Sequence, residues 1–295
     1  MARTAAGGSR RTKLGQNFLA DRSAAGRIVD ALGDVSESTV VEIGPGRGEL
    51  TDLLVGRAKH VIAIELDRVL GAQLRMKYAH HSGIEILEGD VLDIDFESLL
   101  RRPRVAGNAN HPFTGPARVV GNLPYYITSP ILQHLFAFHH LFSTVVILVQ
   151  REVADRIAAK PGGSEYGLLS ATVQLYAHIE RLFTLPPGAF SPPPKVHSTV
   201  LRLTIDPQDK ALGVRAPEFL DFLKLSFGQK RKTLVNNLKL HYPEASLRAA
   251  IEKAGVKRDA RAEALSLAKA AAVFKALARS GDRGEKNQDP SLRSG

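Results

Sequence analysis

The residues best suited to chemistry in this chain sit where apolar runs break off. Val119-Val120 reads as a short buried strand that Gly121-Asn122-Leu123-Pro124-Tyr125 terminates. The break gathers an amide side chain, a carbonyl before proline and an aromatic ring at a strand's carboxyl end. Open α/β sheets bind ligands at that edge. Asn122 Oδ1 and the Leu123 carbonyl can accept both N–H bonds of a flat base bearing an amino group, and Tyr125 can stack on its face. An ordinary Asn-Pro turn has the same composition, so the weight rests on three earlier strand ends. Val40-Val41-Glu42-Ile43 runs into Gly44-Pro45-Gly46-Arg47-Gly48. His60 to Ile64 runs into Glu65, and Ile84 to Leu87 leads to Asp90.

A glycine-rich turn between a strand and its helix lets backbone approach a ligand closely. A dinucleotide turn needs G-x-G-x-x-G and free amides facing a pyrophosphate. Here the third glycine comes one residue early and Pro45 removes a donor, so a nicotinamide cofactor is disfavoured. Glu65 lies about 20 residues past the glycines, where nucleotide folds place the acid that binds ribose hydroxyls. Asp90 can accept from an adenine amine. Together these positions describe a nucleoside site beside an amine site.

Strands must alternate with helices to place those ends on one edge. Helices are expected over Arg22 to Leu32, capped by Asp21, and over Glu49 to Val55, Arg68 to Ala79 and Arg151 to Ala159. A fifth strand is expected at Val145 to Val149. Such alternation implies right-handed crossovers and a parallel sheet covered on both faces. Strands flanking the proline run, the second from Ser198 to Ile205, should add an antiparallel hairpin. Pro103 to Pro116 reads as a surface loop. Beyond it, helices are expected over Glu218 to Phe227, Lys230 to Leu240, Ala245 to Ala254 and Leu265 to Ala278. The expected organisation is a basic arm (1–12), an α/β domain (13–206), a small all-α domain (207–279) joined through a linker from Pro207 to Pro217, and a polar disordered tail (280–295).

The chain has 295 residues, 44% hydrophobic and 24% charged, the balance of a soluble globular protein. No apolar run approaches a membrane span, and Met1 to Arg11 lacks the apolar core of a secretory signal. Without cysteine there is no disulfide, thiolate metal site or thiol nucleophile. The pairs His80-His81 and His139-His140 point apart on a helix and make poor chelates, so no metal is expected. A net charge of +10 and a pI near 9.9 point to a polyanionic partner, nucleic acid before membrane.

From Leu14 to about Leu240 the chain resembles the S-adenosylmethionine-dependent ribosomal RNA adenine N6,N6-dimethyltransferases. The resemblance is carried by Gly15-Gln16-Asn17-Phe18-Leu19, by Glu42 to Thr51, by Asn122-Leu123-Pro124-Tyr125 and by Phe190-Ser191-Pro192-Pro193-Pro194-Lys195-Val196 with Ser198. Phe227-Gly228-Gln229-Lys230-Arg231-Lys232-Thr233-Leu234 is closer to the bacterial small-subunit enzyme than to its antibiotic-resistance relatives. The resemblance implies a Rossmann-like class I methyltransferase sheet ending in the antiparallel hairpin, and S-adenosyl-L-methionine as cofactor. It implies dimethylation of two adjacent adenosines in a hairpin loop near the 3′ end of 16S rRNA, in the small ribosomal subunit during its biogenesis.

Carried over by residue, Asn17 and Leu19 close over the cofactor, Gly44 touches its methionine part with Gly46 also cofactor-binding, Glu65 holds its ribose and Asp90 reads its adenine. Asn122 lies where cofactor and base meet, the Leu123 carbonyl shares the amine, and Tyr125 and Phe190 sandwich the flipped adenine. Lys230, Arg231, Lys232 and Lys239, with Arg10, Arg11 and Lys13, are the expected phosphate contacts. Tyr126 stands where many members have Asn, and the Pro103 to Pro116 loop is longer than usual. The expected protein is a cytoplasmic monomer. Its rivals are a large-subunit rRNA adenine N6-methyltransferase and a non-catalytic RNA-binding assembly factor.

Overall fold

The computed structural model describes residues 17–101, 105–106, 109–110, 115–124 and 127–279. The arm at 1–12, Lys13, Tyr125, Tyr126, most of the 103–116 loop and the 280–295 tail lie outside them. Seven strands among the described residues form one sheet: β1 (Thr39–Ile43), β2 (His60–Glu65), β3 (Ile84–Glu88), β4 (Ala117–Asn122), β5 (Phe142–Gln150), β6 (Ala177–Leu185) and β7 (Ser198–Ile205). Their order is β3-β2-β1-β4-β5-β7-β6. The first five run parallel, and β7 is antiparallel to both β5 and β6. The hairpin expected around the proline run is therefore β6 and β7.

Residues alternate across this sheet and both faces are apolar, as a doubly covered parallel sheet requires. Val40, Val61, Val120, Val146 and Val200 face one side. There they meet Ala25, Ile28 and Val29 of α1 (Arg22–Asp30), whose first turn Asp21 caps through Ala24 N at 3.0 Å. Val41, Ile62, Val119, Val145, Ile147 and Leu201 face the other. That face is covered by α4 (Phe96–Arg101), α5 (Thr128–Ala137) and α7 (Leu168–Tyr176).

After β1 the expected helix at Glu49 to Val55 contracts to α2 (Thr51–Leu54), because the turns around the glycines extend to Leu50. Following β2, Asp67 accepts from Val69 N and Leu70 N and starts α3 (Arg68–Lys77). Behind β5, α6 (Arg151–Ile157) is shorter than expected. The histidine pair after α5 is spent on structure: His139 Nδ1 bonds the Phe136 carbonyl and His140 Nε2 meets Glu97.

The helical region comprises α8 (Asp209–Leu212), α9 (Ala216–Ser226), α10 (Leu234–Leu238), α11 (Glu244–Lys253) and α12 (Leu267–Arg279). So the linker expected at Pro207 to Pro217 is largely helical. Phe274 of α12 packs on Phe219 and Phe222 of α9, with ring centroids 5.6 and 5.4 Å apart. The helical region shares one continuous apolar core with a sheet face, so Tyr176, Leu203, Phe219 and Val273 belong to the same cluster. The 160–166 loop reinforces the join. Gly162 N donates to the Glu263 carbonyl at 2.7 Å, and buried Tyr166 meets Phe227 edge-on at 6.0 Å.

Candidate active site

The strand order reverses between β1 and β4, whose connections leave in opposite directions. A crevice at the carboxyl ends is the geometric result. A cavity of about 180 Å³ lies there, lined by Asn17, Phe18, Gly44, Gly46, Glu65, Leu66, Asp90, Asn122, Leu123 and Pro124 among others. Five strand-end or turn positions singled out from the sequence, at 44, 46, 65, 90 and 122, thus share one cavity with Asn17 and Leu123.

Glu65 is 3% exposed and ends β2. Its Oε2 accepts from Gly46 N and its Oε1 from Asp67 N, both at 2.9 Å. Burial raises its pKa, against the opposing pull of those two N–H donors. Each oxygen retains a lone pair for a ribose hydroxyl. Glu65 therefore also ties the glycine turn to β2, a role its sequence position does not announce. Gly46 has φ +60°, and a Cβ there would sit 2.9 Å from Phe18 Cδ1. Only glycine allows the turn this conformation while Phe18 lies against it.

Asp90 lines the cavity while its Oδ1 accepts from Leu92 N at 2.9 Å, opening the short turn Val91–Asp93. The other oxygen stays available as an acceptor. Asn122 ends β4, and its Nδ2 donates to the Asn17 carbonyl at 3.0 Å. A carbonyl partner requires the amide nitrogen at that end, so Oδ1 is the acceptor end of the side chain, with no partner among the described residues. Leu123 is buried and donates its N–H to the Leu148 carbonyl of β5 at 3.1 Å, which fixes the peptide that follows.

Two expected site residues sit elsewhere. Leu19 and Phe190 are each 4% exposed and belong to the apolar cluster over α1. They pair across a two-residue antiparallel ladder, Phe18↔Ser191 and Leu19↔Phe190. Side chains alternate along a strand, so Phe18 takes the cavity side and Leu19 the core. The same cover closes over the Phe190 ring. Phe18 was missed from the sequence, although its place between Asn17 and Leu19 in an extended segment is the signal.

Glu42, also missed, is 1% exposed and accepts from Thr51 Oγ1 at 2.7 Å. Burial pushes its carboxyl up to about 8. An acid inside an otherwise β-branched apolar run was the available clue. Lys230, Arg231, Lys232 and Lys239 are exposed, but the first three precede α10 in a turn. Thr233 caps that helix through Asn236 N, which sets its start four residues later than expected. Lys230 Nζ donates to the Ser164 carbonyl at 3.2 Å.

The cavity fits an adenosyl group in its donor set: a buried carboxylate for ribose, a second acid for an amine, and a glycine turn whose backbone lies open to the ligand. Strand order and site together define a class I S-adenosylmethionine-dependent methyltransferase. A model of the family described as ribosomal RNA adenine dimethylase matches residues 7–279. The chain belongs to that family. It is 56% identical to the ribosomal RNA small subunit methyltransferase A of Koribacter versatilis, over 91% of this chain and 95% of that protein. Its identity to the protein of the same name from Acidobacterium capsulatum is 49%, over 92% of each. Among solved structures, a dimethyladenosine transferase from Plasmodium falciparum shares the fold with a TM-score of 0.70 at 24% identity, covering 90% of this chain and 99% of that one. The 23S rRNA methyltransferase ErmE superposes with a TM-score of 0.63 at 26% identity, over 89% and 100%.

Proposed function

We propose that this protein dimethylates the N6 amines of two adjacent adenosines in a hairpin loop near the 3′ end of 16S rRNA, within a small-subunit precursor. The observation that carries the reading is Asn122, which lines the cofactor cavity with its Nδ2 held by the Asn17 carbonyl and its Oδ1 without a partner among the described residues. The high identity to small-subunit relatives supports that substrate over large-subunit RNA.

S-adenosyl-L-methionine supplies an electrophilic methyl group on a sulfonium. Glu65 and Asp90 hold its ribose and adenine, and the glycine turn with Asn17 borders its methionine end. Asn122 Oδ1 and the Leu123 carbonyl accept the two N–H bonds of the target amine. Positioning the amine in line supplies much of the acceleration. The two acceptors also favour a pyramidal nitrogen as positive charge builds on it. The proton leaves to solvent after transfer, so no strong side-chain base is needed.

Reaching the amine requires the adenine to leave its stack, and Tyr125 serves as its platform. In this proposal Phe190 is the second stacking partner, its ring being covered by the apolar cluster in this structure. Residues 13–206 form the catalytic part and 207–279 carry RNA contacts at Lys230, Arg231, Lys232 and Lys239. These cations bind phosphates of folded RNA recognised mainly by shape. The protein acts as a monomer in the cytoplasm. Among the described residues no helix is long and apolar enough to cross a membrane.

Label transfer from methyl-labelled adenosylmethionine to small-subunit particles, large-subunit RNA and an RNA-free control tests the reading. Nucleoside analysis should find N6,N6-dimethyladenosine in the small-subunit arm. Label confined to large-subunit RNA would move the substrate to that subunit. Cofactor binding without any transfer would leave a non-catalytic assembly factor.

A further inference from the structure

Residues 17–21 form a strap beside the cofactor cavity, which Asn17 and Phe18 line, fixed at three places. Asn17 O takes the Asn122 amide, the Phe18–Leu19 ladder pairs with Phe190–Ser191, and Ala20 N and Asp21 N both donate to the Ala189 carbonyl at 2.8 and 3.1 Å. The Phe18 ring spans from the strap to the glycine turn. Its edge lies against Gly46, and the guanidinium of exposed Arg47 sits over the ring, 4.4 Å from the centroid. Glu49 reaches the same spot, with Oε2 4.0 Å from the Gly46 Cβ position, and its charge attracts Arg47.

We infer that Arg47 is a positioning residue: it latches the strap shut over bound cofactor by clamping Phe18 against the glycine turn. A guanidinium in an RNA methyltransferase would ordinarily be assigned to phosphate. Here its position over an aromatic face gives it a local partner, and the partner lines the cofactor cavity. The strap's hold on Asn122 runs through the Asn17 carbonyl and is separate from the Arg47 contact, so the latch acts on cofactor retention. The inference rests on adenosylmethionine occupying this cavity.

The test is calorimetric cofactor affinity and steady-state kinetics on the full chain for wild type, Arg47→Ala, Arg47→Lys, Phe18→Leu and the double variant Arg47→Ala/Phe18→Leu. An exposed cation–π pair gives roughly a two- to fivefold effect. Arg47→Ala should raise the cofactor Kd and KM by about that factor, with kcat at saturating cofactor close to wild type. Arg47→Lys should recover part of the loss. The double variant should bind no worse than Phe18→Leu alone, since both changes open one contact. An unchanged cofactor Kd in Arg47→Ala overturns the latch, as do additive losses in the double variant. Loss of RNA affinity with normal cofactor affinity makes Arg47 a phosphate contact and also overturns it. Wild-type protein that fails to bind adenosylmethionine refutes the proposed function instead, which keeps the two failures distinct. Melting temperatures without cofactor should agree among the Arg47 variants, because the latch is not part of the core.

Discussion

Gly121 offers a sharp test of how the sheet positions Asn122. It pairs with Ile43 in the β1–β4 ladder, one residue before Asn122. A Cβ at that position would sit 2.7 Å from the Ile43 carbonyl oxygen, 3.2 Å from Ile43 Cβ and 3.1 Å from Leu123 Cδ2. Non-bonded heavy atoms settle near 3.5 Å, so Gly121→Ala forces a local shift of roughly 0.8 Å. The obstructing oxygen belongs to a central strand and cannot rotate away. Overpacking of this kind costs about 1–3 kcal/mol, which in a chain of this length lowers Tm by a few degrees. A misplacement near 1 Å at a reacting centre costs on the order of 100-fold in rate. We predict a single-turnover rate 10- to 100-fold below wild type at saturating cofactor, on the order of that estimate. Cofactor affinity should fall less, because Glu65 and Asp90 are anchored on β2 and beyond β3. Rapid-quench label transfer, calorimetry and thermal unfolding report the three quantities. A lower Tm with an undiminished rate would refute the claim that β1–β4 spacing positions the amine acceptors.

Asn122→Ala removes the side-chain acceptor and should lower turnover by at least about two orders of magnitude, with cofactor affinity measured alongside; near-normal turnover sinks the assignment. Glu42 makes stability depend on pH. Its folded pKa, pushed up to about 8, lies above the ordinary value of 4.5, so the folded state holds the proton more tightly. Its contribution is whole below about 4.5 and is lost as pH rises to about 8, at about 1.4 kcal/mol per pH unit across that window. Glu42→Gln, which keeps an acceptor for Thr51, should match wild type in Tm near pH 5 and exceed it by several degrees near pH 8; parallel Tm profiles would contradict this. Neutralising Lys230, Arg231 and Lys232 together should weaken RNA binding and flatten the log–log salt dependence by about 2, at roughly 0.7–0.9 per phosphate contact. An identical salt slope would remove that turn from the interface.

The strand ends were legible because each joins an apolar run to a residue that no buried strand would carry without reason. Glycines at 44, 46 and 48, Glu65, Asp90 and Asn122 all stand out in that way, and the sheet brings them to one edge. The burial of Leu19 and Phe190 was not legible because a two-residue ladder has too little periodicity to reveal which side faces the core. Its alternation is settled by pairing across about 170 residues of chain, from Leu19 to Phe190. Glu42 escaped notice because its neighbours Val40, Val41 and Ile43 read as strand whatever lies between them. The basic turn at Lys230 to Lys232 looked helical by composition, and only the Thr233 cap moved the helix start beyond it.

The uninterrupted apolar core between sheet and helices turns the molecule into a caliper. Lys230 is tethered to Ser164, and Tyr166 is sunk among the C-terminal helices, so the basic turn cannot drift relative to Asn122 without breaking that core. The separation between the basic turn and Asn122 is thus a property of the fold. On the proposed function, an RNA would be selected by whether its own spacing, from backbone at that turn to loop adenine at Asn122, matches a fixed gauge.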